Sequence, residues 1–269
     1  MPITLISFNI FHGGLDESTT PSTAPTSPRV DRISTYLQAA KPDIVILTEL
    51  NNWTPTHLSN LASKLSHDYS TLMDPTNTPF RIGLTSRFRI LTVEHVHNGF
   101  HHGALVVKLD VSSRPGASFN ELQIVGTHLT PYLPSARVEE ARQLAKLLTR
   151  GLPAIIAGDL NALSPHDSAS YAPGMFSGAL AAKFLGPTGE VDFSTIEALE
   201  ACGLVDLGKN DSFDHSVPTR LEVDAMHGAN MRLDYAFATA ELVAKANVVR
   251  NSETDSLSDH YPLQVTLEQ

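Results

Sequence analysis

Cysteine, positive charge and long apolar runs are all scarce in this sequence. Its 269 residues include one cysteine, Cys202, which excludes an internal disulfide and a multi-thiolate zinc site. No apolar run approaches the roughly 20 residues that span a bilayer. The sequence has 19 Lys and Arg against 29 Asp and Glu, and this net charge of −10 argues against a strongly electropositive nucleic-acid groove. These absences exclude several classes of protein and name no function.

The chain has no compositional boundary and no tandem repeat. The Ser-, Thr- and Pro-rich segment 18–28 is too short for a domain linker, so we expect one domain over residues 1–269. Residues 1–10 read as a strand and lack the basic start and apolar stretch of a signal peptide, which favours the cytoplasm. A secreted protein whose leader had been removed would look the same.

Apolar residues alternate between helical and strand-like spacing along the chain. A helix followed by a fully apolar strand is predicted twice, over residues 30–40 and 44–47, and over residues 138–148 and 154–157 with Ser135 as the N-cap. Strands buried on both faces and alternating with helices predict α/β layers, with sheet inside and helices outside. Further strand-like runs lie at residues 81–85, 90–96, 104–109, 122–127, 233–238 and 263–267.

Carboxylates, amides and histidines occur where these apolar strands end. Each one alone is more often a hydrogen-bonding residue or a helix cap, but six such places indicate a site, because strand ends gather at one edge of a sheet. Carboxylate and amide oxygens suit a hard cation such as Mg²⁺, and histidines beside them suit phosphoester hydrolysis. The residues are Asn9, Glu49, His128, Asp159 with Asn161, Asp234, and Asp259 with His260.

Six short motifs follow one another in order: Phe8-Asn9-Ile10, Pro42-Asp43-Ile44-Val45 with Thr48-Glu49, Thr127-His128-Leu129, Gly158-Asp159-Leu160-Asn161, Arg232-Leu233-Asp234-Tyr235 and Ser258-Asp259-His260. Together they resemble the endonuclease/exonuclease/phosphatase superfamily, which includes deoxyribonuclease I, exonuclease III, neutral sphingomyelinases and inositol polyphosphate 5-phosphatases. Each motif is weak alone, whereas all six in order are specific and cover nearly the whole chain. One departure is Thr48, where Gln is common in the family.

The resemblance implies a fold and a metal site. The fold would be a four-layer α/β sandwich, with two β-sheets packed face to face and helices on both outer sides. Glu49 would bind Mg²⁺, with Mn²⁺ as an alternative, and Asn9 and Asp259 would assist it. The implied reaction is hydrolysis of a phosphoester, most simply a phosphodiester, by metal-assisted attack of an activated water.

The resemblance also implies a catalytic set that includes His128. Asp159 and Asn161 would position the attacking water and contact the phosphate. His260 would act on the phosphate or the water, and Asp234 would hold the His260 imidazole and fix its tautomer.

Substrate identity is left open by the sequence. His128 stands where abasic-site endonucleases that resemble exonuclease III carry Tyr, which disfavours a DNA-repair function. The acidic charge favours a nucleotide derivative, a lipid head group or a short nucleic acid as the substrate. A deoxyribonuclease I-like endonuclease is the alternative, and a catalytically dead binding module is disfavoured because none of the expected acidic and histidine positions is lost. We expect substrate specificity to reside in the loops at residues 15–28, 69–79 and 165–187.

Several other residues carry weaker expectations. His12 and one of the histidines at 101 and 102, for which we take His102, are candidate substrate contacts. Trp53 is expected to pack beneath its loop, and Cys202 is expected to be a small buried hydrophobe at a helix end. The arginines and glutamates of the helix after Ser135 are expected to form one solvated face rather than a DNA-binding track; they are Arg137, Glu139, Glu140, Arg142 and Arg150.

Overall fold

The computed structural model describes residues 2–15, 27–76, 78–114, 118–172, 174–209, 213–221 and 228–268. The strands in these ranges are β1 (Ile3–Asn9), β2 (Ile44–Thr48), β3 (Tyr69–Leu72), β4 (Gly83–Ser86), β5 (Arg89–Val96), β6 (Ala104–Asp110), β7 (Glu121–His128), β8 (Ala154–Asp159), β9 (Leu204–Asp206), β10 (Asp234–Thr239), β11 (Ala244–Val248) and β12 (Leu263–Leu267). The α-helices are α1 (Pro28–Ala40), α2 (Pro55–Lys64), α3 (Pro134–Lys146), α4 (Gly178–Phe184) and α5 (Ser194–Ala201). Within the same ranges no helix is long and apolar enough to cross a membrane.

Proline fixes where the three longest helices begin, since its backbone angle suits the first helical position. α1 and α2 also have side-chain caps: Ser27 accepts the Val30 N–H at 3.2 Å, and Thr54 accepts the His57 N–H at 3.3 Å. The predicted Ser135 cap is wrong. α3 already begins at Pro134, and Leu133 occupies the N-cap without a side-chain hydrogen bond.

The strands form two mixed six-stranded sheets. The first has the order β11-β12-β1-β2-β4-β3, and the second has the order β5-β6-β7-β8-β10-β9. Each sheet has a parallel pair at its centre, β1 with β2 and β7 with β8, and every other pair of neighbouring strands is antiparallel. The centre of each sheet therefore presents two strand C-terminal ends side by side.

Side-chain alternation along the central strands separates the layers. Ile46 of β2 points inward to a buried cluster shared with Ile124 and Ile155 of the second sheet. Its neighbour Val45 points outward and packs with Leu37 of α1. On the opposite outer face, α3 and α5 pack against the second sheet through a cluster that includes Leu144, Leu199, Val125 and Ile156. This arrangement confirms the predicted four-layer α/β sandwich.

Several local predictions fail for identifiable reasons. Cys202 is exposed rather than buried, because it caps the C-terminal end of α5 where the helix leaves the core. Arg137 and Glu140 are buried with 1% and 4% of their surfaces exposed, so the predicted solvated face is wrong for them, whereas Arg142 pairs with Glu139 at the surface. Trp53 packs as predicted, and its indole N–H donates to the Gly13 carbonyl at 2.9 Å. Most of the segment 18–28 lies outside the described residues.

Candidate active site

The predicted site residues meet at one end of both sheets. In the first sheet Asn9 ends β1 and Glu49 directly follows β2. In the second sheet the register pairs His128 of β7 with Asp159 of β8, and Asp159 with Asp234 of β10. Asp259 and His260 join the group because they precede β12, whose first residue Leu263 pairs with Ser7 near the end of β1.

These residues surround a cleft of about 320 Å³. Asn9 and Asp234 lie beneath it, each with 1% of its surface exposed. The other eight predicted site residues line it, together with residues from loops and one helix. The lining residues are Phe11, His12, Glu49, Phe80, His102, His128, Pro131, Tyr132, Asp159, Asn161, Lys183, Asp259 and His260.

Asp159 is the central carboxylate of the cleft. Its Oδ2 accepts a hydrogen bond from Asn9 Nδ2 at 3.2 Å and lies 3.5 Å from His128 Nε2 and 3.6 Å from His260 Nε2. Its Oδ1 accepts the Asn161 N–H at 2.8 Å. Burial acts to raise the pKa of Asp159, but neighbouring positive charges, that of His260 foremost, outweigh burial and lower it to about 2. Asp159 is therefore an ionised carboxylate that lies close to the imidazoles of both His128 and His260.

Asn9 and the His12 backbone orient Glu49. Asn9 Nδ2 donates to Glu49 Oε1 at 3.1 Å, and the His12 N–H donates to Glu49 Oε2 at 2.9 Å. The Asn9 side-chain oxygen accepts the Phe11 N–H at 3.1 Å, so Asn9 faces both Glu49 and Asp159 through its NH₂ group. Glu49 and His12 both have left-handed backbones, with φ of 59° and 50°, a conformation that is unusual for residues other than glycine. The backbone at Glu49 and His12 therefore adopts a strained conformation, and this conformation positions the Glu49 carboxylate.

His260 is held by a carboxylate from the other sheet. His260 Nδ1 lies 2.6 Å from Asp234 Oδ2, and both side chains are buried. The hydroxyl of Ser216 in turn accepts the N–H groups of Leu233 and Asp234, at 2.9 and 3.1 Å. Burial disfavours a charged imidazole, but the nearby carboxylates, Asp234 foremost, outweigh burial and raise the pKa of His260 to about 10. His260 is therefore an imidazolium whose Nε2 faces Asp159.

His102 also lines the cleft, and its imidazole is neutral. It is 1% exposed, its Nδ1 lies 2.8 Å from the Thr78 hydroxyl, and its ring centroid is 4.4 Å from that of His128. Burial, followed by the two neighbouring imidazoles, lowers the pKa of His102 to about 2. His102 can accept or donate one hydrogen bond there without adding charge.

Sequence reasoning missed part of the cleft. Phe11, Phe80 and Tyr132 form aromatic walls, and Lys183 of α4 lines the same cleft. These residues lie outside the six motifs, and no periodicity distinguishes them from ordinary loop residues. The one available signal was that Lys183 falls within residues 165–187, where the specificity loops were expected.

Two buried charged residues of α3 hold the loop that carries Tyr132. Glu140 accepts the N–H groups of His101 and Thr130, at 2.5 and 2.7 Å. Arg137 donates to the carbonyls of Thr130 and Tyr132, at 3.4 and 3.1 Å. Burial raises the pKa of Glu140. The side of α3 predicted to face solvent thus fixes one wall of the cleft.

The chemistry of the cleft fits a hard divalent cation. Glu49 and Asp259 both line it and offer carboxylate oxygens, the ligands that Mg²⁺ prefers. Among the described residues no group of three or more His, Cys, Asp or Glu side chains is arranged to hold an ion. Mg²⁺ is commonly bound through one or two carboxylates with water and phosphate oxygens as its other ligands, so two carboxylates are a sufficient protein contribution.

Comparison with known proteins defines the class. The model of the Endonuclease/Exonuclease/phosphatase family matches residues 6–260. The chain therefore belongs to this family, whose members are hydrolases that act on phosphoester bonds. A comparison with curated proteins finds no matching sequence.

Three solved structures illustrate the likeness in fold. An endonuclease/exonuclease/phosphatase from Beutenbergia cavernae is 18% identical, with a TM-score of 0.67 over 99% of this chain and 71% of that one. D. rerio TDP2, complexed with a single-strand DNA product, is 15% identical, with a TM-score of 0.63 over 100% and 99% of the two chains. A mannosyl-6-phosphatase from Bacteroides thetaiotaomicron is 16% identical, with a TM-score of 0.64 over 99% and 100%. At these identities the likeness establishes the fold alone.

Proposed function

We propose that this protein is a Mg²⁺-dependent phosphodiesterase, with residues 1–269 forming one catalytic domain. The observation that carries the proposal is that one cleft contains both carboxylates that could bind a cation and imidazoles that could transfer protons. Glu49 and Asp259 supply carboxylates for a hard cation, and Asp159 lies between the imidazoles of His128 and His260. Metal-assisted phosphoester hydrolysis uses both a cation and oriented proton-transferring groups.

Glu49 and Asp259 would hold the Mg²⁺ ion, or Mn²⁺ in its place. When bound, the ion would neutralise charge on a phosphate oxygen. Asn9 is assigned here to the metal site through its hydrogen bond to Glu49, which fixes the direction of that carboxylate. Of the three predicted metal-site residues, Glu49 and Asp259 would thus be ligands, and Asn9 would orient Glu49.

The remaining polar groups would move protons and bind the phosphate. Asp159 is ionised and buried at the cleft floor, so it would orient the attacking water by accepting a hydrogen bond from it. His260 is charged and would donate from Nε2 to a phosphate oxygen, because Asp234 already holds its Nδ1. His128 and Asn161 would contact the phosphate beside it. His12 and His102, which also line the cleft, would contact the remainder of the substrate.

The shape of the cleft favours a compact substrate. It measures about 320 Å³, and Phe11, Phe80, Pro131 and Tyr132 form its walls. Among the described lining residues Lys183 is the only lysine or arginine, whereas binding of a long duplex relies on many phosphate contacts. We therefore place a nucleotide derivative or another small phosphodiester ahead of duplex DNA.

A deoxyribonuclease I-like endonuclease is the second candidate. It is supported by the family itself and by the likeness in fold to D. rerio TDP2, which was solved with a single-strand DNA product. A single strand needs a narrower groove and fewer cations than a duplex, so the aromatic walls are compatible with it.

A substrate panel tests the proposal. Purified protein would be assayed with Mg²⁺ or Mn²⁺ against an aryl phosphodiester, an aryl phosphomonoester, sphingomyelin, RNA, single-stranded DNA and plasmid DNA. We expect hydrolysis of the aryl phosphodiester that is abolished by a chelator, restored by added metal and absent from Asp159→Asn. Efficient plasmid nicking at trace enzyme would favour the endonuclease, and no hydrolysis of any substrate with either metal would overturn the proposal.

A further inference from the structure

We propose that the cleft binds the base of a nucleotide substrate and that the ring of Tyr132 stacks on this base. The inference rests on the proposed function, and it narrows the substrate from a small phosphodiester to one that carries a planar aromatic group beside the scissile phosphate. Tyr132 lies in the loop between β7 and α3, outside every motif that predicted the site. It would select the substrate without taking part in the chemical step.

The exposure of the Tyr132 side chain within the cleft is the first support. Tyr132 lines the same cleft as Asp159 and His260, yet 63% of its surface is exposed. A large aromatic side chain that stabilises the fold is normally buried, as Tyr235 is in the core of this protein. A base placed on the Tyr132 ring would remove this apolar surface from water beside the catalytic groups.

The backbone of Tyr132 is held in place although its ring is exposed. Arg137 Nη1 donates to the Tyr132 carbonyl at 3.1 Å, and Glu140 accepts the N–H of Thr130 in the same loop at 2.7 Å. Both Arg137 and Glu140 are buried residues of α3. The ring is therefore presented by a fixed chain, and a tyrosine side chain has few rotatable bonds to immobilise when a ligand binds.

Further aromatic and imidazole rings continue from Tyr132 around the cleft. Each ring contacts the next, with centroids 4.4 to 5.8 Å apart. In order, the rings are those of Tyr132, His101, His102, Phe80, His12 and Phe11. All of them except His101 line the cleft. A planar ligand would thus contact π surfaces beyond Tyr132, and imidazole nitrogens could form hydrogen bonds with the edge of a base.

The apolar lining of the cleft favours a base over a lipid tail. Among the described lining residues Pro131 is the only one with an aliphatic apolar side chain, and the other apolar members are Phe11, Phe80 and Tyr132. Aromatic rings prefer offset stacking on another planar ring, a geometry that a flexible alkyl chain lacks. Every nucleobase has such a planar face, and stacking on it requires no positive charge. The net charge of −10 is therefore compatible with this mode of binding.

Three substitutions at Tyr132 separate stacking from apolar packing. Tyr132→Phe keeps the ring, Tyr132→Leu keeps apolar bulk without a ring, and Tyr132→Ala removes both. Leu133→Ala is the matched control, because Leu133 is the next residue, is 59% exposed and does not line the cleft. For each variant, calorimetry in Mg²⁺ would measure the dissociation constants of AMP and of ribose 5-phosphate. These probes share a sugar and a phosphate and differ in the base.

We expect the wild type to bind AMP about 5- to 100-fold more tightly than ribose 5-phosphate, the range for one base stacked on an aromatic ring. Tyr132→Phe and Leu133→Ala should keep this ratio. Tyr132→Leu and Tyr132→Ala should lose most of it, with the affinity for ribose 5-phosphate unchanged. Thermal unfolding should be the same in all variants, because both residues are exposed. If Tyr132→Ala is unstable, the comparison of Tyr132→Phe with Tyr132→Leu decides.

Several outcomes would overturn the inference. They are equal affinities for the two probes in the wild type, no binding of either probe, and a ratio that survives in Tyr132→Ala. A ratio retained in Tyr132→Leu would also overturn it, since apolar bulk would then suffice.

A second titration distinguishes a single nucleotide from a nucleic-acid strand as the source of the base. Equal affinities for AMP and an adenylate trinucleotide would support a mononucleotide derivative, and tighter binding of the trinucleotide would support a single strand. In both cases Tyr132→Ala must weaken binding for the inference to stand.

The design also distinguishes failure of this inference from failure of the proposed function. A wild-type protein that hydrolyses the aryl phosphodiester but binds AMP and ribose 5-phosphate equally would leave the function intact and remove the base site. A wild-type protein that hydrolyses nothing but binds AMP through Tyr132 would keep the base site and overturn the phosphodiesterase proposal.

Discussion

The hydrogen bond between His260 and Asp234 joins the two sheets of the sandwich. His260 precedes β12 in the first sheet, Asp234 begins β10 in the second, and 2.6 Å separates His260 Nδ1 from Asp234 Oδ2. Asn9 bridges the sheets in the same way through its bond to Asp159. The cleft therefore exists only when both sheets are packed, which makes its geometry depend on the inter-sheet core.

The first prediction concerns this pair. Asp234 orients the His260 ring and favours its charged form, so His260→Ala should lower kcat by about 10²- to 10⁴-fold with a smaller change in KM. Asp234→Asn should reproduce much of that loss. Steady-state kinetics on the substrate identified by the panel measure both effects.

A double-mutant cycle tests whether the two residues act as one unit. The double variant His260→Ala with Asp234→Asn should be little worse than His260→Ala alone. Losses that multiply in full would mean that the residues act independently, and the pairing would then have no catalytic meaning.

The second prediction concerns the metal ligand Glu49. Glu49→Gln keeps the size of the side chain and removes its charge, so Mg²⁺ binding should weaken and most activity should be lost while the fold survives. Calorimetric titration with Mg²⁺ and circular dichroism check the two parts. Glu94→Gln, an exposed position on β5, serves as the control. Unchanged Mg²⁺ affinity in Glu49→Gln would show that Glu49 is not a ligand.

The α/β layers and the convergence of the motif residues were predictable because both follow from short-range patterns, whereas the four-layer sandwich was implied by the family resemblance. Fully apolar runs such as residues 44–47 and 154–157 identify the buried central strands, and polar residues after them must emerge at strand ends. The edge strands β3, β9 and β11 went unpredicted, since short and partly exposed strands have little apolar pattern.

The walls of the cleft were harder to predict than its floor. Arg137 and Glu140 look like surface residues in the sequence, because a helix position says nothing about which loop folds over it. Their burial depends partly on backbone groups of loops that are distant in the sequence. One example is the hydrogen bond that the His101 N–H donates to the Glu140 carboxylate, with a separation of 39 residues. Lys183 reaches the cleft by the same kind of long-range packing.

The third prediction concerns the pH dependence of stability. His102 stays neutral in the folded protein because burial lowers its pKa from 6.5 to about 2. The unfolded chain gains a proton on this side chain below pH 6.5, whereas the folded protein does not, so His102 destabilises the fold progressively as the pH falls. The difference should reach about 2 kcal/mol at pH 5.

Urea unfolding at pH 7.5 and pH 5 measures this effect. The fall in unfolding free energy between the two pH values should be smaller in His102→Gln than in the wild type by about that amount. Only the change with pH is compared, because the substitution also alters the contact with Thr78. Equal falls in the two proteins would mean that His102 is protonated in the folded state.

The fourth prediction compares two adjacent glutamates of α3. Glu140 is buried and accepts two backbone N–H groups, whereas Glu139 is exposed and pairs with Arg142 at the surface. Glu140→Gln replaces one acceptor oxygen with an NH₂ group that faces a backbone donor, so it should destabilise the fold by about 1–3 kcal/mol. Glu139→Gln should change stability by about 0.5 kcal/mol or less.

Glu140→Gln should also alter substrate binding more than the chemical step. Its partners His101 and Thr130 flank the cleft wall that carries His102 and Tyr132, so loosening this wall should raise KM while kcat changes less. Chemical denaturation and steady-state kinetics on the two variants check both parts. If Glu139→Gln and Glu140→Gln behaved alike, the buried carboxylate would have no role in holding the wall, and the shape of the cleft would have to depend on Arg137 alone.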